Sequence, residues 1–309
     1  MTMIMKKKII LMAALLGAMA WTGCQRIEEF IEEKPEVEQG TTTYTLTVLA
    51  ERNDGAETKG LAIGDGTEAT TTLLKSIWKE GEPVKVYLGT DCIGTLTATP
   101  DGGDAHLATL SGTVTTTGIV ANTTTLTLLT PRESWDYTGQ VGKLLLTDDA
   151  TDSIEKKFHY TMASSVLVTG VSGSNISTED AHFTNQQSIY RLSFRYSSTP
   201  ITTKSVTISG ASNHLVQSQV LGGAATEGDI SVTLGTASAD PFFVALRNGS
   251  DAQEVYTFTV VDDTGVTYRG TKTIPADAKG NGKFVSVKNA TLTERLDLAL
   301  SATEVDTVM

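Results

Sequence analysis

The groups in this chain that could do chemistry are its histidine, cysteine and carboxylate side chains. The four histidines, His106, His159, His182 and His214, are scattered, and none has a second histidine two or four residues away. Neither of the 2 cysteines stands at a metal-binding spacing from a histidine. Zinc sites use such closely spaced ligands. We therefore predict no metal site, and we expect each histidine to be a polar residue of the surface or of a turn.

Three carboxylates, Asp148, Asp149 and Asp152, lie together in the segment TDDATDS. Their spacing is not that of an EF-hand loop, so we favour a solvated acidic loop over a calcium site. Cys92 follows Asp91 and has no basic neighbour in the sequence that would favour its thiolate. The chain also lacks a nucleophile elbow, a Walker loop and a dinucleotide-binding fingerprint. We predict a protein that is not an enzyme and needs no cofactor.

The other cysteine, Cys24, closes an N-terminus of the kind that directs export. Lysines at positions 6–8 precede an apolar stretch at 9–20, which has the length of a secretory signal and is too short to span a membrane. The tetrapeptide WTGC then resembles a bacterial lipobox, in which the cysteine is lipidated and becomes the mature N-terminus. We predict that residues 1–23 are a lipoprotein signal peptide; the alternative is an ordinary signal peptide.

An acidic segment follows the cysteine and sets the charge of the mature chain. Residues 24–40 include EEFIEEKPEVE and end in glycine, which is typical of a solvated tether. The formal net charge is −12, and loss of residues 1–23, which hold three lysines and no acidic residue, brings it to −15. Such a chain repels nucleic acid, so we exclude nucleic-acid binding.

Apolar and polar residues alternate along many short runs of the mature chain. Tyr44, Leu46 and Val48 alternate with threonines, and five further runs lie at 84–88, 190–196, 230–234, 242–246 and 256–260. This period of two is typical of strands with one buried face. The sequence therefore predicts an all-β protein made of antiparallel sheets packed as sandwiches.

Two segments are less strand-like and suggest the domain organisation. Residues 139–162 have an acid-rich middle, and we expect a long loop or one short helix there. Residues 169–187 are polar and rich in turn residues, and a fresh set of strands begins at Ile189. We place a domain boundary near residue 185, which gives an N-terminal domain at 41–185 and a C-terminal domain at 186–309.

The segment ETKGLAIGDGTEATTTLLKSIWKEGEPVKVYLG, at 57–89, resembles the N-terminal domain of the fimbrillin family, which comprises lipoprotein-derived pilus subunits and surface adhesins of Gram-negative gut and oral bacteria. The features are Thr58-Lys59, a Gly/Asp turn, and the tryptophan and glycine at 78–81 that lead into a strand. WDYTGQVGKL and FTNQQSIYRLSF resemble the family's domain junction, and the run from Tyr256 to Thr293 resembles its closing strands.

The resemblance implies a fold of two transthyretin-like β-sandwich domains in series and a mechanism of assembly. In the family, the first strand is cut off after a basic residue, and a terminal strand of another subunit fills the groove. Here the removed strand would carry Tyr44, Leu46 and Val48. Lys59 matches the family's cleavage position, whereas Arg52 is closer to the strand. Both residues are therefore candidates for the cleavage site.

The C-terminal tail at 295–309 is the segment that could be donated. Leu296, Leu298 and Leu300 alternate with smaller or polar residues, which is the pattern that strand addition requires. The alternative is that this strand closes its own sandwich.

We therefore predict a structural or adhesive subunit of a cell-surface pilus. It would be anchored in the outer membrane through lipidated Cys24, exposed on the surface, and incorporated into the fimbrium by strand addition to other pilus subunits. The alternative is a monomeric surface lipoprotein that binds carbohydrate, with Trp135 and Tyr137 stacking on a sugar; these two residues could equally belong to the core.

Overall fold

The computed structural model describes residues 40–52, 72–73, 76–144, 153–212, 214–250, 252–276 and 279–296. The predicted signal peptide, Cys24 and Lys59 lie outside these ranges. So do the acidic cluster Asp148, Asp149 and Asp152 and the tail residues Leu298 and Leu300.

Most of the described chain is β-structure, which confirms the predicted all-β class. The strands are β1 (Thr42–Arg52), β2 (Thr72–Leu73), β3 (Pro83–Leu88), β4 (Asp91–Pro100), β5 (Leu107–Thr116), β6 (Thr125–Thr130), β7 (Ser134–Asp136), β8 (Thr161–Ser172), β9 (Asn175–Thr178), β10 (Ala181–Asn185), β11 (Ser188–Tyr196), β12 (Thr199–Pro200), β13 (Thr203–Gly210), β14 (Val216–Val220), β15 (Thr226–Glu227), β16 (Ile230–Ser238), β17 (Phe242–Leu246), β18 (Glu254–Asp262), β19 (Thr267–Ile274), β20 (Lys283–Leu292) and β21 (Glu294–Leu296). One π-helical turn, Ile154–Phe158, lies within the segment where we expect a loop or a short helix. No helix in the described ranges is long and apolar enough to cross a membrane.

The first eight-stranded sheet closes on itself. Its order is β10-β1-β5-β4-β3-β6-β8-β9, and β8 also pairs with β10 while β1 also pairs with β9. The short strands β9 and β10 therefore follow one another in the gap between β1 and β8. Both run parallel to β1 and antiparallel to β8.

The strands that close the sheet lie within residues 169–187. The sequence predicts a polar, turn-rich junction without strands there, and that prediction is wrong. The segment forms the end of β8, all of β9 and all of β10. Three of its apolar residues, Ile176, Ala181 and Phe183, are buried, whereas Val171 is exposed. Backbone hydrogen bonds to β1 and β8 stabilise these strands. The partners are distant in sequence, so the polar segment by itself does not predict the strands.

Three further sheets form the rest of the described chain. Their orders are β12-β11-β20-β2 with β17 also on β11, then β16-β13-β18-β19-β21, and β15-β14-β7. The pairing of β11 with β20 is parallel, as are those of β1 with β9 and β10. The closed sheet and the sheet of β11 and β20 are therefore mixed, where the sequence predicts antiparallel ones. The pairings within the other two sheets are all antiparallel.

The buried apolar side chains form two clusters. One consists of residues of the closed sheet together with Trp78 and Ile119. The other includes Tyr190, Phe194 and Phe258 from the later strands, and it also takes in aromatic residues from 135–160. The second core thus draws on chain that precedes residue 185. The division into domains at 41–185 and 186–309 stays a prediction, as does the pair of transthyretin-like sandwiches.

Candidate functional site: the first strand and its groove

The first strand, β1, is hydrogen-bonded along both of its edges. On one side it pairs antiparallel with β5, from Thr42 opposite Thr116 to Glu51 opposite Leu107. On the other side its residues 45–47 pair with β9 and its residues 50–52 pair with β10. Removal of β1 would open a groove with an unpaired strand edge on each side.

The side chains of β1 alternate between the core and the surface, as the sequence predicts. Leu46 and Val48 are fully buried and Tyr44 is half-buried. Ala50 continues the same inward row, and its Cα partners on the two flanking strands, Ala108 and Ala181, are also buried alanines. Three small residues therefore lie side by side at this level of the closed sheet.

The inward row ends at Arg52, which is 2 % exposed. Its guanidinium is ion-paired with Glu82 and donates a hydrogen bond to the backbone oxygen of Ile77. The guanidinium carbon also lies 3.9 Å from the centre of the Trp78 ring. Trp78 in turn packs edge-on against Phe183 of β10, with 4.9 Å between ring centres. The arginine is thus held by charge, by a backbone acceptor and by an aromatic face.

Glu82 is ionised in this environment. Burial opposes the charge of its carboxylate, but the charge of Arg52 and hydrogen bonds from Arg52 and Thr130 outweigh that effect and lower its pKa. The Thr130 hydroxyl donates to Glu82 Oε1 over 2.9 Å. Glu82 therefore presents a negative charge to the end of the groove.

His159 lies close to this cluster and is buried, so the expectation that it is a surface or turn residue is wrong. Its Nε2 donates to Asn185 Oδ1 over 2.7 Å. Burial and the positive charge of Arg52 lower the pKa of His159 to about 4, so that the ring is neutral at pH 7. With Arg52 in place, the histidine therefore adds no second positive charge beside Glu82.

A cavity of about 330 Å³ adjoins the cluster, and Arg52, Glu82 and His159 are among its lining residues. Within the described chain, two buried polar atoms of its lining residues have no hydrogen-bond partner, Arg52 Nε and Ser76 Oγ, and neither has Nε1 of the neighbouring Trp78. Lys79, which also lines the cavity, is ion-paired with Glu155. Arg52 and Lys79 are thus each paired with a carboxylate of their own, and Lys156, which also lines the cavity, is exposed.

The two predicted cleavage residues differ in their placement. The side chain of Arg52 is buried at the end of β1 and is not available to a protease in this form. Lys59 falls in the stretch 53–71, of which the structure describes nothing.

The predicted donor segment begins in β21. Leu296 pairs with Thr267 of β19, and all three residues of β21 are exposed, with Leu296 at 47 %. This part of the tail therefore adds to the edge of its own sheet through the backbone and buries no side chain in its own core.

The residues of the carbohydrate-binding alternative belong to the core. Trp135 is 2 % exposed and Tyr137 is fully buried. The Arg247 guanidinium carbon lies 4.3 Å from the centre of the Trp135 ring, and Tyr137 packs edge-on against Tyr160. Neither ring has a face free for a sugar.

The remaining candidate residues do not form a reactive cluster. His106 hydrogen-bonds to the backbone oxygen of Ser76, His182 contacts Glu51, and His214 contacts Glu227. Cys92 is exposed at the start of β4. In the part of the chain that the structure covers, no three histidine, cysteine or acidic residues are grouped so as to hold a metal ion.

Comparison with known proteins gives distant structural likenesses. No protein-family model and no curated protein matches the chain. A candidate cell adhesion protein from Parabacteroides distasonis aligns with a TM-score of 0.37 and 13 % identity, over 80 % of this chain and 88 % of that one. Candidate cell adhesion proteins from Bacteroides ovatus and Bacteroides fragilis both give TM-scores of 0.36, with 12 % and 11 % identity, over 83 % and 80 % of this chain and 97 % and 93 % of theirs. At these TM-scores we infer neither fold nor function from the likeness.

Proposed function

We propose that this protein is a cell-surface structural or adhesive subunit of the fimbrillin kind, assembled by strand addition after its first strand has been cut away. The observation that carries the proposal is the position of β1. It is the first described strand, it is paired on both edges, and it supplies a continuous inward row to the core.

A cut at Lys59 would separate β1 from the rest of the chain without interrupting any described strand. The next described residues after Arg52 are at 72–73, so the cut falls in the connection between them. The released strand would be held by its backbone hydrogen bonds, its buried side chains and the ion pair of Arg52 alone. Exchange for another strand then needs no further break in the chain.

Loss of β1 leaves a groove that another strand must fill. Burial of Leu46 and of Val48 each contributes about 1.5–3 kcal/mol. The strand edges on the two sides would also lose their backbone partners. A donor strand with apolar residues at alternate positions restores both contributions at once, which is the physical basis of strand addition.

The exposed side chains of β21 support donation of the tail. A strand that buries no side chain in its own sheet loses little when it leaves. Leu296 is then available to a groove on another subunit, and the sequence pattern continues with leucines at 298 and 300.

Export as a lipoprotein completes the proposal. Lipidation of Cys24 would anchor the protein in the outer membrane with its β-structure exposed at the surface, and the processed form would reside in the fimbrium. The carbohydrate-binding alternative has lost its supporting observation, because Trp135 and Tyr137 are core residues.

Controlled cleavage tests the exchange. We would replace residues 57–60 with the recognition sequence of a highly specific protease, cut the folded chain, and add a fluorescent peptide with the sequence of residues 42–52. We expect the cut protein to take up the peptide, measured by anisotropy, and the uncut protein not to. A peptide with Leu46→Asp and Val48→Asp is the matched control, and it should not bind. Equal uptake by cut and uncut protein, or none by either, would contradict the proposal.

A further inference from the structure

The groove that β1 fills ends at a buried carboxylate. Glu82 meets Arg52 there, and its side chain is 15 % exposed. Arg52 leaves with β1 whether the chain is cut at Lys59 or directly after Arg52. Glu82 would then lose the cation that keeps it ionised, and a buried charge without its partner is strongly destabilising. A strand that supplies a cation at this position should therefore fill the groove more stably than one that does not.

The side-chain sizes along β1 set a second requirement. Leu46 and Val48 are large, whereas Ala50 lies between the alanines Ala108 and Ala181. A large side chain at the third of these inward positions would overpack this level of the sheet. The groove thus fits two large apolar residues, then a small one, then a basic one, at alternate positions along the chain.

The tail of this chain meets the size requirement and fails the charge requirement. The alternate row that contains its leucines is Glu294, Leu296, Leu298, Leu300, Ala302, Glu304, Asp306, Val308. When Ala302 takes the place of Ala50, Leu298 and Leu300 take the places of Leu46 and Val48, and Glu304 takes the place of Arg52. Arg295 belongs to the opposite row, with Asp297 and Ser301. No register that buries the leucines, in either strand direction, brings a basic residue to Glu82.

Three basic residues besides Arg52 line the same cavity as Glu82, and one of them, Lys156, is exposed. Lys79 is ion-paired with Glu155, and its side chain is 49 % exposed. With Arg52 in place, His159 is neutral at pH 7, and its Nε2 donates a hydrogen bond to Asn185 Oδ1. A donor with Glu304 at the end of the groove would therefore place two carboxylates against each other.

We propose that this groove selects a donor strand with an arginine or lysine at the Arg52 position, and that its partner is a different subunit rather than a second copy of this chain. The inference rests on the proposed strand exchange and adds to it which donor strand this groove accepts. The tail of this chain goes to a groove of another kind, and Glu82 prevents the subunit from polymerising with itself.

Peptide binding to the cut chain tests this selection. We would measure the dissociation constants of four fluorescent peptides: residues 42–52, the same with Arg52→Ala, residues 294–308, and the same with Glu304→Arg. We expect Arg52→Ala to weaken binding on the order of 100-fold. Glu304→Arg should strengthen the binding of the tail peptide by a similar factor.

The dependence on Glu82 is the matched control. In a cut chain that carries Glu82→Gln, both differences should shrink to less than about threefold, because the buried charge is gone. Equal binding of the tail peptide with and without Glu304→Arg would overturn the inference while leaving strand exchange intact, and so would a preference for arginine that survives Glu82→Gln. Failure of every peptide to bind would instead overturn the proposed exchange, and the inference with it.

Discussion

Arg52 and Glu82 lie 30 residues apart in the sequence and form a buried ion pair where β1 ends and β3 is about to begin. The pair fastens the first strand to the loop that carries Trp78, because the arginine also contacts the Trp78 ring and the backbone of Ile77. The strand that we propose to be exchanged is therefore held at its C-terminal end by a specific polar contact in addition to its apolar row.

The buried pair of Arg52 and Glu82 should contribute more to the free energy of unfolding of the intact chain than the exposed ion pairs do. We expect Arg52→Ala to lower the free energy of unfolding by about 3–5 kcal/mol, because it leaves Glu82 buried and unpaired. Denaturant titration of residues 40–309 measures the change. The matched control is Glu133→Gln, which breaks the more exposed pair of Lys85 and Glu133 and should cost no more than about 1 kcal/mol. Similar effects of the two variants would contradict this assignment.

His159 should make the stability depend on pH. Its pKa is about 4 in the folded chain, against an ordinary value of 6.5. The unfolded chain therefore binds the extra proton between these two values, and the free energy of unfolding falls as the pH is lowered from 6.5 towards 4. One pKa unit corresponds to about 1.4 kcal/mol, so this contribution is on the order of 3 kcal/mol.

The change in slope identifies the histidine. Urea titrations at several pH values between 4 and 7 should show a flatter dependence for His159→Asn than for the unsubstituted chain. His182→Asn, at a histidine whose side chain is 74 % exposed, is the control, and His159→Asn should give the flatter dependence of the two. An unaltered slope in His159→Asn would show that another group carries the effect.

A second buried ion pair lies in the later sheets. Lys279 Nζ contacts Glu254 Oε2 over 2.7 Å, and the two side chains are 1 % and 2 % exposed. Glu254 also accepts a hydrogen bond from the backbone of Ser212. We expect Lys279→Met to lower the free energy of unfolding by about 3–5 kcal/mol, since the carboxylate stays behind without its cation. Thermal unfolding followed by circular dichroism measures this, and Lys283→Met at a partly exposed position is the control.

Lipidation is tested in cells that export the full chain. Cys24→Ala should move the protein from the detergent phase to the aqueous phase of a detergent partition, because the diacylglycerol chains that anchor it are missing. Cys92→Ala removes the other cysteine and should partition like the parent. Retention of Cys24→Ala in the detergent phase would exclude the predicted anchor.

The sequence predicts the strands whose side chains alternate strongly. Leu46 and Val48 in β1 and the run from Tyr190 to Phe194 in β11 lie in strands as expected, because a period of two is a local property that needs no knowledge of partners. The short strands β9 and β10 escape this reasoning. They carry few apolar residues, and they form because β1 and β8 offer backbone partners from distant parts of the chain.

The sequence also does not predict the polar cluster of Arg52, Glu82 and His159 at the end of the groove. An arginine at the end of an alternating run is usually a surface residue, and its partner Glu82 lies far away in sequence. His159, Trp135 and Tyr137 show the same limit, since their burial depends on contacts between distant segments. One signal was available: Arg52 continues the parity of Tyr44, Leu46, Val48 and Ala50, which places it on the inward face of the strand.

Hydrogen–deuterium exchange tests whether β1 can leave while the rest of the fold stands. The chain cut within residues 57–60 would be separated from its first strand and compared with the uncut chain. We expect that amides of β5, β9 and β10 lose protection, that amides of β11 and β20 keep it, and that the peptide of residues 42–52 restores the lost protection. Unchanged protection of β5 after the cut, or loss of protection throughout both cores, would contradict this expectation.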